Sequence, residues 1–273
     1  MPSTPASRRA LWIGGLCALA VMVIWTSFIL VARASATRTL SPFDIAWLRF
    51  VFSGLVALPW LVWRGSAFVR GLGHTPAQAW QRGATLAAVA GVGYCMFAYS
   101  GFFFAPVAHG AVLLPGALPM WTALLATLLI GERLTWARAA GLALIAAGAA
   151  LVGGTSLLQA FDGSDTWRGD VLFLAGSFCW ALYGVLCRRW KVGAVDATLA
   201  IALGCLVSYV PLYGAAALAG WVPSGRAAAP WSEIGVQAVF QGGLSMLVAG
   251  VAYTQVVQTF GPVRTTMLTA LVP

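Results

Sequence analysis

The sequence predicts an all-α membrane protein, a bundle of helices crossing a lipid bilayer many times. Three observations predict it: the apolar content, apolar runs of span length, and basic residues parcelled out between those runs. Of 273 residues, 60% are hydrophobic and only 8% are charged, against about 25% charged in an ordinary soluble domain. A water-soluble globule needs a polar exterior that this chain cannot supply, so lipid is its solvent. A hydrocarbon core about 30 Å thick takes about 20 apolar residues per helix, which leaves room for roughly eight to ten spans.

Within lipid every backbone amide must be satisfied inside its own segment, so the runs are helices. None shows the two-residue alternation of a membrane barrel. They read Leu11–Ala32, Phe43–Trp63, Gly83–Phe104, Val107–Ile130, Trp136–Gly154, Val171–Cys187, Ala197–Ala219, Ile234–Phe260 and a ninth, unfinished, from Val263. Arg8 and Arg9 before the first run resemble a signal-peptide start, and Ala34-Ser35-Ala36 a cleavage site. That run is longer than the about 7–15 residues of a signal core, and many spans follow it, so it is read as a membrane helix.

The net charge of +9 does not point to nucleic acid. The 16 basic residues come as ones, twos and one cluster, Arg188, Arg189 and Lys191, a pattern of membrane topology and not of a phosphate-tracking face. With the N-terminus in the cytoplasm, the inner side receives Arg8, Arg9, Arg64, Arg70, Arg82, Arg133, Arg138, Arg188, Arg189, Lys191 and Arg264. The outer side receives Arg33, Arg38, Arg168 and Arg226, with the acidic Asp162, Asp165 and Asp170. That bias satisfies the positive-inside rule. The five cysteines fall in or beside apolar runs without CxxC spacing, which reads as packing and not as disulfides or zinc.

The chain repeats itself. Ile24-Trp25 to Arg33 resembles Cys179-Trp180 to Arg188; Ala98-Tyr99 matches Ala252-Tyr253; Gly116 to Pro119 parallels Ala270 to Pro273. All three agree on a shift of 154 or 155 residues. Residues 1–155 are thus a first five-helix repeat and 156–273 a second, which on this alignment lacks the counterpart of Met120 to Gly154, the end of the ninth helix and all of the tenth. Five helices per copy make the second enter the membrane from the opposite side. The predicted fold is a ten-helix, 5+5 inverted repeat with about nine spans present, an arrangement of secondary transporters whose site lies at the repeat interface near mid-membrane.

These residues carry a family likeness. Trp47-Leu48-Arg49-Phe50, Phe97-Ala98-Tyr99 leading through Pro106 to Gly110–Leu114 and Pro119, and Gly131-Glu132-Arg133-Leu134 followed by Gly141–Ile145 and Gly148 form the first copy. Gly261-Pro262-Val263-Arg264 and Leu268 to Pro273 belong to the second. In their order and spacing the chain resembles EamA-type transporters of the drug/metabolite transporter superfamily over nearly all of its length. The resemblance implies ten helices, both termini in the cytoplasm, and export or exchange of small metabolites.

Arg49 is the most informative single residue, about 9 Å into the second helix at 1.5 Å per residue. A charge there is a functional candidate by default, and its guanidinium suits a substrate carboxylate; snorkelling to the interface or pairing with Asp44 is the alternative. His109 is either a proton-coupling or substrate group or a histidine bonded to a neighbouring helix. Glu132 and Arg133 mark an inner gate or, as the simpler reading, a helix junction. Trp25, Trp180, Tyr183, Tyr94, Tyr99 and Tyr253 lie well inside spans, where Trp and Tyr are unusual, and suit an aromatic cavity for an amphipathic solute. Gln241 and Gln255 are the expected polar lining. Ala139, Ala143 and Ala147, like Ala87, Gly91 and Cys95, read as close-packing seams.

No phosphate loop, HExxH or nucleophile elbow is present, so no enzyme, cofactor or metal site is expected. With no acidic residue in mid-span, a carboxylate proton relay is not expected unless His109 serves. The reading is a secondary transporter in a bacterial inner membrane, exporting or exchanging amino-acid-like or drug-like metabolites by alternating access. Its expected partners are a small-molecule metabolite and the lipid bilayer, with a homodimer left open. A non-transporting scaffold or accessory subunit is the rival.

Overall fold

The computed structural model describes residues 8–36, 38–159 and 164–269, and among these there is helix and no β-strand. In chain order the helices are α1 (Arg8–Ala36), α2 (Pro42–Arg64), the short α3 (Ser66–Leu72), α4 (Pro76–Phe104), α5 (Val107–Ile130), α6 (Trp136–Gln159), α7 (Thr166–Trp190), α8 (Ala194–Leu218), α9 (Trp231–Phe260) and α10 (Pro262–Thr269). Among the described residues seven of them, α1, α2, α4, α5, α7, α8 and α9, are long and apolar enough to cross a bilayer. The third anchor of the repeat, Ala270 to Pro273, lies outside the described residues, as do Asp162 and the side chains of Arg33 and Arg138.

Local chemistry sets the ends. Ser41 caps α2 in a reciprocal box with Asp44, and Pro42 takes the first helical position, where no amide hydrogen is needed. Thr75 and Pro76 open α4 in the same way. Gly131 closes α5 at φ +69°, a left-handed cap open to glycine at little cost. Two helices widen into π-turns, α4 over Ala87–Gly93 and α9 over Ala238–Val248; such widenings often accompany functional sites.

Helix α7 runs through the middle of the bundle, with the second half of α4 and most of α5 packed on it. Helix α1 lies along the last part of α9, and α2 is held between the wide part of α9 and α8. The seam predicted at Ala87, Gly91 and Cys95 is the contact of α4 with α8: a Cβ on Gly91 would fall on the Cys205 sulfur. The other predicted seam does not close, because Ala143 and Ala147 lie on the outward side of α6.

Hydropathy set the start of α7 too late. The helix begins at Thr166, so Asp170 is not a loop residue but sits buried in its second turn. A carboxylate is tolerated there because His109 of α5 meets it at 2.8 Å.

Candidate functional site

At the bundle centre, rings from α1, α4, α7 and α9 converge. Trp25 stacks on Tyr253 at 5.4 Å between centroids and meets Trp180 edge-on at 5.7 Å. Trp180 in turn touches Tyr94 (4.8 Å), Tyr183 (5.1 Å) and Tyr253 (5.4 Å). The Tyr183 hydroxyl is 2.6 Å from Thr254 Oγ1, which fixes that wall. A small cavity of about 30 Å³ opens beside these rings, lined by Trp25, Phe28, Tyr94, Pro115, Ser177 and Trp180 among others. Ser177 Oγ, Trp180 Nε1 and the Tyr253 hydroxyl are buried and have no hydrogen-bond partner among the described residues. Unsatisfied buried polar atoms of this kind call for a ligand or water.

Next to this layer lies Arg49, 1% exposed. Its Nη1 donates to Ser245 Oγ (3.0 Å) and to the Tyr99 hydroxyl (3.3 Å), and its Nη2 reaches the Met246 sulfur at 3.5 Å. Tyr99 passes its own proton to Gln241 Oε1 at 2.9 Å. The π-turns of α9 bring Gln241, Ser245 and Met246 to this point, and Gly242 makes the approach possible, since a Cβ there would press on the Arg49 carbonyl oxygen and on Phe52. The ring of Phe28 lines the cavity and stands 5.8 Å from that of Tyr99, so the two zones share a wall.

Arg49 does not pair with Asp44. Five residues at 3.6 per turn set the two about 140° apart around α2. Asp44 instead belongs to one pole of the bundle, where it accepts from Tyr213 (2.9 Å), Ser224 (2.7 Å) and the Gly225 amide (2.8 Å) and pairs with Arg226 at 3.1 Å. Arg226 also lies over the rings of Trp47 (4.4 Å) and Tyr213 (5.3 Å). At the opposite pole Arg64, ending α2, meets Asp196, opening α8, at 2.8 Å. Arg82 over Trp190, and Arg188 donating to the Gln258 carbonyl, gather further cations at that same pole.

The structure therefore brings together Trp25, Arg49, Tyr94, Tyr99, Trp180, Tyr183, Gln241 and Tyr253. It leaves others apart. His109 is engaged with Asp170. Gln255 is half-buried and bonds along its own helix to Thr259 at 3.5 Å. Glu132 and the exposed Arg133 follow the Gly131 cap at the end of α5. Sequence reasoning missed Phe28, Ser177, Ser245 and Met246, which carry no signal apart from their neighbours. It also missed the two polar pairs, although Asp44 and Asp196 stand 152 residues apart, close to the shift of the repeat.

Fold and centre define a multi-pass membrane protein built around an internal cluster of aromatic rings beside a small cavity. The profile of the EamA-like transporter family matches residues 12–154, just over half of the chain. The chain belongs to that family. It is 28% identical over 99 residues to an uncharacterized transporter, YyaM, of Bacillus subtilis (strain 168), a match over 35% of this chain and about a third (32%) of that relative's length. One solved crystal structure of a protein shares the fold at a TM-score of 0.51 and 22% identity, over 93% of this chain and 86% of that one.

Proposed function

We propose that this protein is a secondary transporter that exports or exchanges small organic metabolites, amino-acid-like or drug-like, across a bacterial inner membrane, with its N-terminus cytoplasmic. The observation that carries this reading is the central cavity. It is walled from both sides of the predicted repeat boundary, by Trp25, Phe28 and Tyr94 before residue 155 and by Ser177 and Trp180 after it. Its volume of about 30 Å³ is well below the roughly 300–1,000 Å³ typical of ligand pockets, so on this reading a metabolite enters only when the walls move apart.

Several features support the 5+5 inverted repeat and alternating access. The packing of α1 on α9 is mirrored by that of α7 on α4, and both partners in the second position carry a π-turn stretch. The two polar ion pairs are mirrored as well. At one pole an aspartate of the first half, Asp44, holds an arginine of the second, Arg226; at the other, Asp196 of the second half holds Arg64 of the first. A rocking motion of one half against the other opens one such latch while the other stays closed, which is the sequence of events alternating access requires.

The test is an untargeted metabolite profile of the medium around cells expressing the chain, with Trp180→Ala as control at matched membrane levels. A metabolite that accumulates only with the intact cavity is the expected result. Identical profiles would overturn the transport reading and favour a scaffold.

A further inference from the structure

The charge at the centre of the bundle is not balanced. Arg49 is fully buried among a phenol, a hydroxyl and a thioether, and among the described residues no carboxylate pairs with it. The nearest acid in sequence, Asp44, is taken by Arg226. A guanidinium cannot escape by losing its proton, and burying an ion without a partner costs several kcal/mol. The surroundings are also short of acceptors, not donors. Arg49 Nε and Gln241 Nε2 are both buried with no partner, while the acceptor of Gln241, Oε1, is already used by Tyr99. A site with a fixed positive charge and spare N–H donors is complementary to an anion. A planar carboxylate matches the fork of a guanidinium better than a point charge does.

We propose that the ligand of this cavity is an organic monoanion, its carboxylate received by Arg49 and Gln241 and its apolar or aromatic part by the rings of Trp25, Tyr94 and Trp180. The inference rests on the reading of the cavity as the substrate chamber. Arg49 and Gln241 stand behind the cavity wall, where Phe28 meets Tyr99 at 5.8 Å, so a bound acid reaches them by displacing these two rings, with its carboxylate on the Tyr99 side. Among the described residues nothing compensates the cation; a carboxylate would complete it. Neutral or cationic solutes of equal shape leave Arg49 unpaired and are discriminated against.

Three probes of one shape test this: benzoate, benzamide and benzamidinium. Purified protein in lipid nanodiscs is titrated with each, at an ionic strength held constant with chloride, and the shift of the unfolding midpoint gives the affinity. Benzoate is expected to bind at least about tenfold more tightly than either isostere, about 1.4 kcal/mol, and Arg49→Gln is expected to abolish the difference. Arg49→Lys, which keeps the charge and loses the fork, serves where Arg49→Gln does not purify as a folded protein; there the benzoate affinity is expected to fall by about tenfold. Benzoate binding no tighter than benzamide, or an acid preference that survives both variants, overturns the proposal. Its failure is separable from that of transport. A benzoate preference without any efflux sinks transport alone, and efflux of a neutral or cationic metabolite without that preference sinks the anion alone.

Discussion

Helix α2 meets two guanidinium groups, and they are housed in opposite ways. At its first turn Asp44, wholly buried, faces Arg226, whose side chain is 22% exposed; hydroxyls, a backbone amide and two aromatic faces complete the shell. Midway along, Arg49 has partners that are all neutral, and one of its donors has none. The polar shell is closed: every group in it answers another. The central one is open by one negative charge. A closed shell points to structure and an open one to a ligand, and substitutions on the two sides separate these roles.

The largest effect is expected at the closed shell. Removing one partner of a buried ion pair costs about 3–5 kcal/mol, because the other charge is stranded. Asp44→Ala strands Arg226 and also leaves the donors of Tyr213, Ser224 and Gly225 unanswered. Denaturation of the purified variant in detergent is expected to show that loss. A variant as stable as the parent breaks the contrast, since it means that this pole is open to water.

At the open shell the sign reverses. Replacing a whole buried ion pair by apolar side chains of similar volume is often neutral or stabilising, by about 1–4 kcal/mol, and a buried charge with no counter-ion has less attraction to lose. Arg49→Met is expected to unfold no earlier than the parent while losing the acid preference and the flux. A marked destabilisation, on the scale of Asp44→Ala, shows that Tyr99 and Ser245 hold Arg49 for the sake of the fold.

The contrast between the two shells was only partly legible beforehand. Arg49 is conspicuous in sequence because it is the one charge far inside an apolar run, and Trp25, Trp180 and Tyr253 because a shift of 154 or 155 residues superimposes parts of the chain. Which acid answers which base was not legible. Asp44 lies near Arg49 in the chain, yet helical geometry turns it away, and Arg226 arrives from a connection 182 residues later. Asp170 was hidden for a related reason. Hydropathy averages over the polar first turn of α7 and begins the span after it, although a backbone helix is free to start among polar residues. The small-residue stripe of α6 shows the limit of spacing: it reveals that Ala143 and Ala147 share a face, not that a partner covers it.

An intermediate case is His109, which meets the buried Asp170 at 2.8 Å between α5 and α7. His109→Ala removes one partner of that hydrogen bond, and the desolvated acceptor costs about 1–3 kcal/mol. Asp170 has further interactions, which places the expected loss at the lower end, about 1 kcal/mol. Denaturation under the same conditions as for Asp44→Ala checks it, and a loss equal to that variant's would make this a second closed shell and not a local contact.

The smallest loss is expected at the second latch, where Arg64 is 29% exposed and Asp196 7%. The two are 2.8 Å apart and little more exposed than Asp44 and Arg226, but among the described residues Asp196 accepts from Arg64 alone, while Asp44 also answers Tyr213, Ser224 and Gly225. The part-exposed Arg64 regains water when its partner is lost, which brings the expected loss down to about 0.2–1 kcal/mol. Asp196→Asn keeps the shape and removes the charge, so its loss in denaturation is expected within that range, several times below that of Asp44→Ala. The asymmetry has a mechanical meaning. Under the proposed alternating access, two latches of unequal strength would bias the bundle towards the state in which the weaker is open, here the one at the Arg64 pole. Cysteine labelling at Ser66, beside that pole, is expected to quicken in Asp196→Asn and to return to the parental rate in the charge-swapped double variant Arg64→Asp, Asp196→Arg. A labelling rate indifferent to both variants would mean that the pair is a passive surface contact, and that the stronger pole alone holds the halves together.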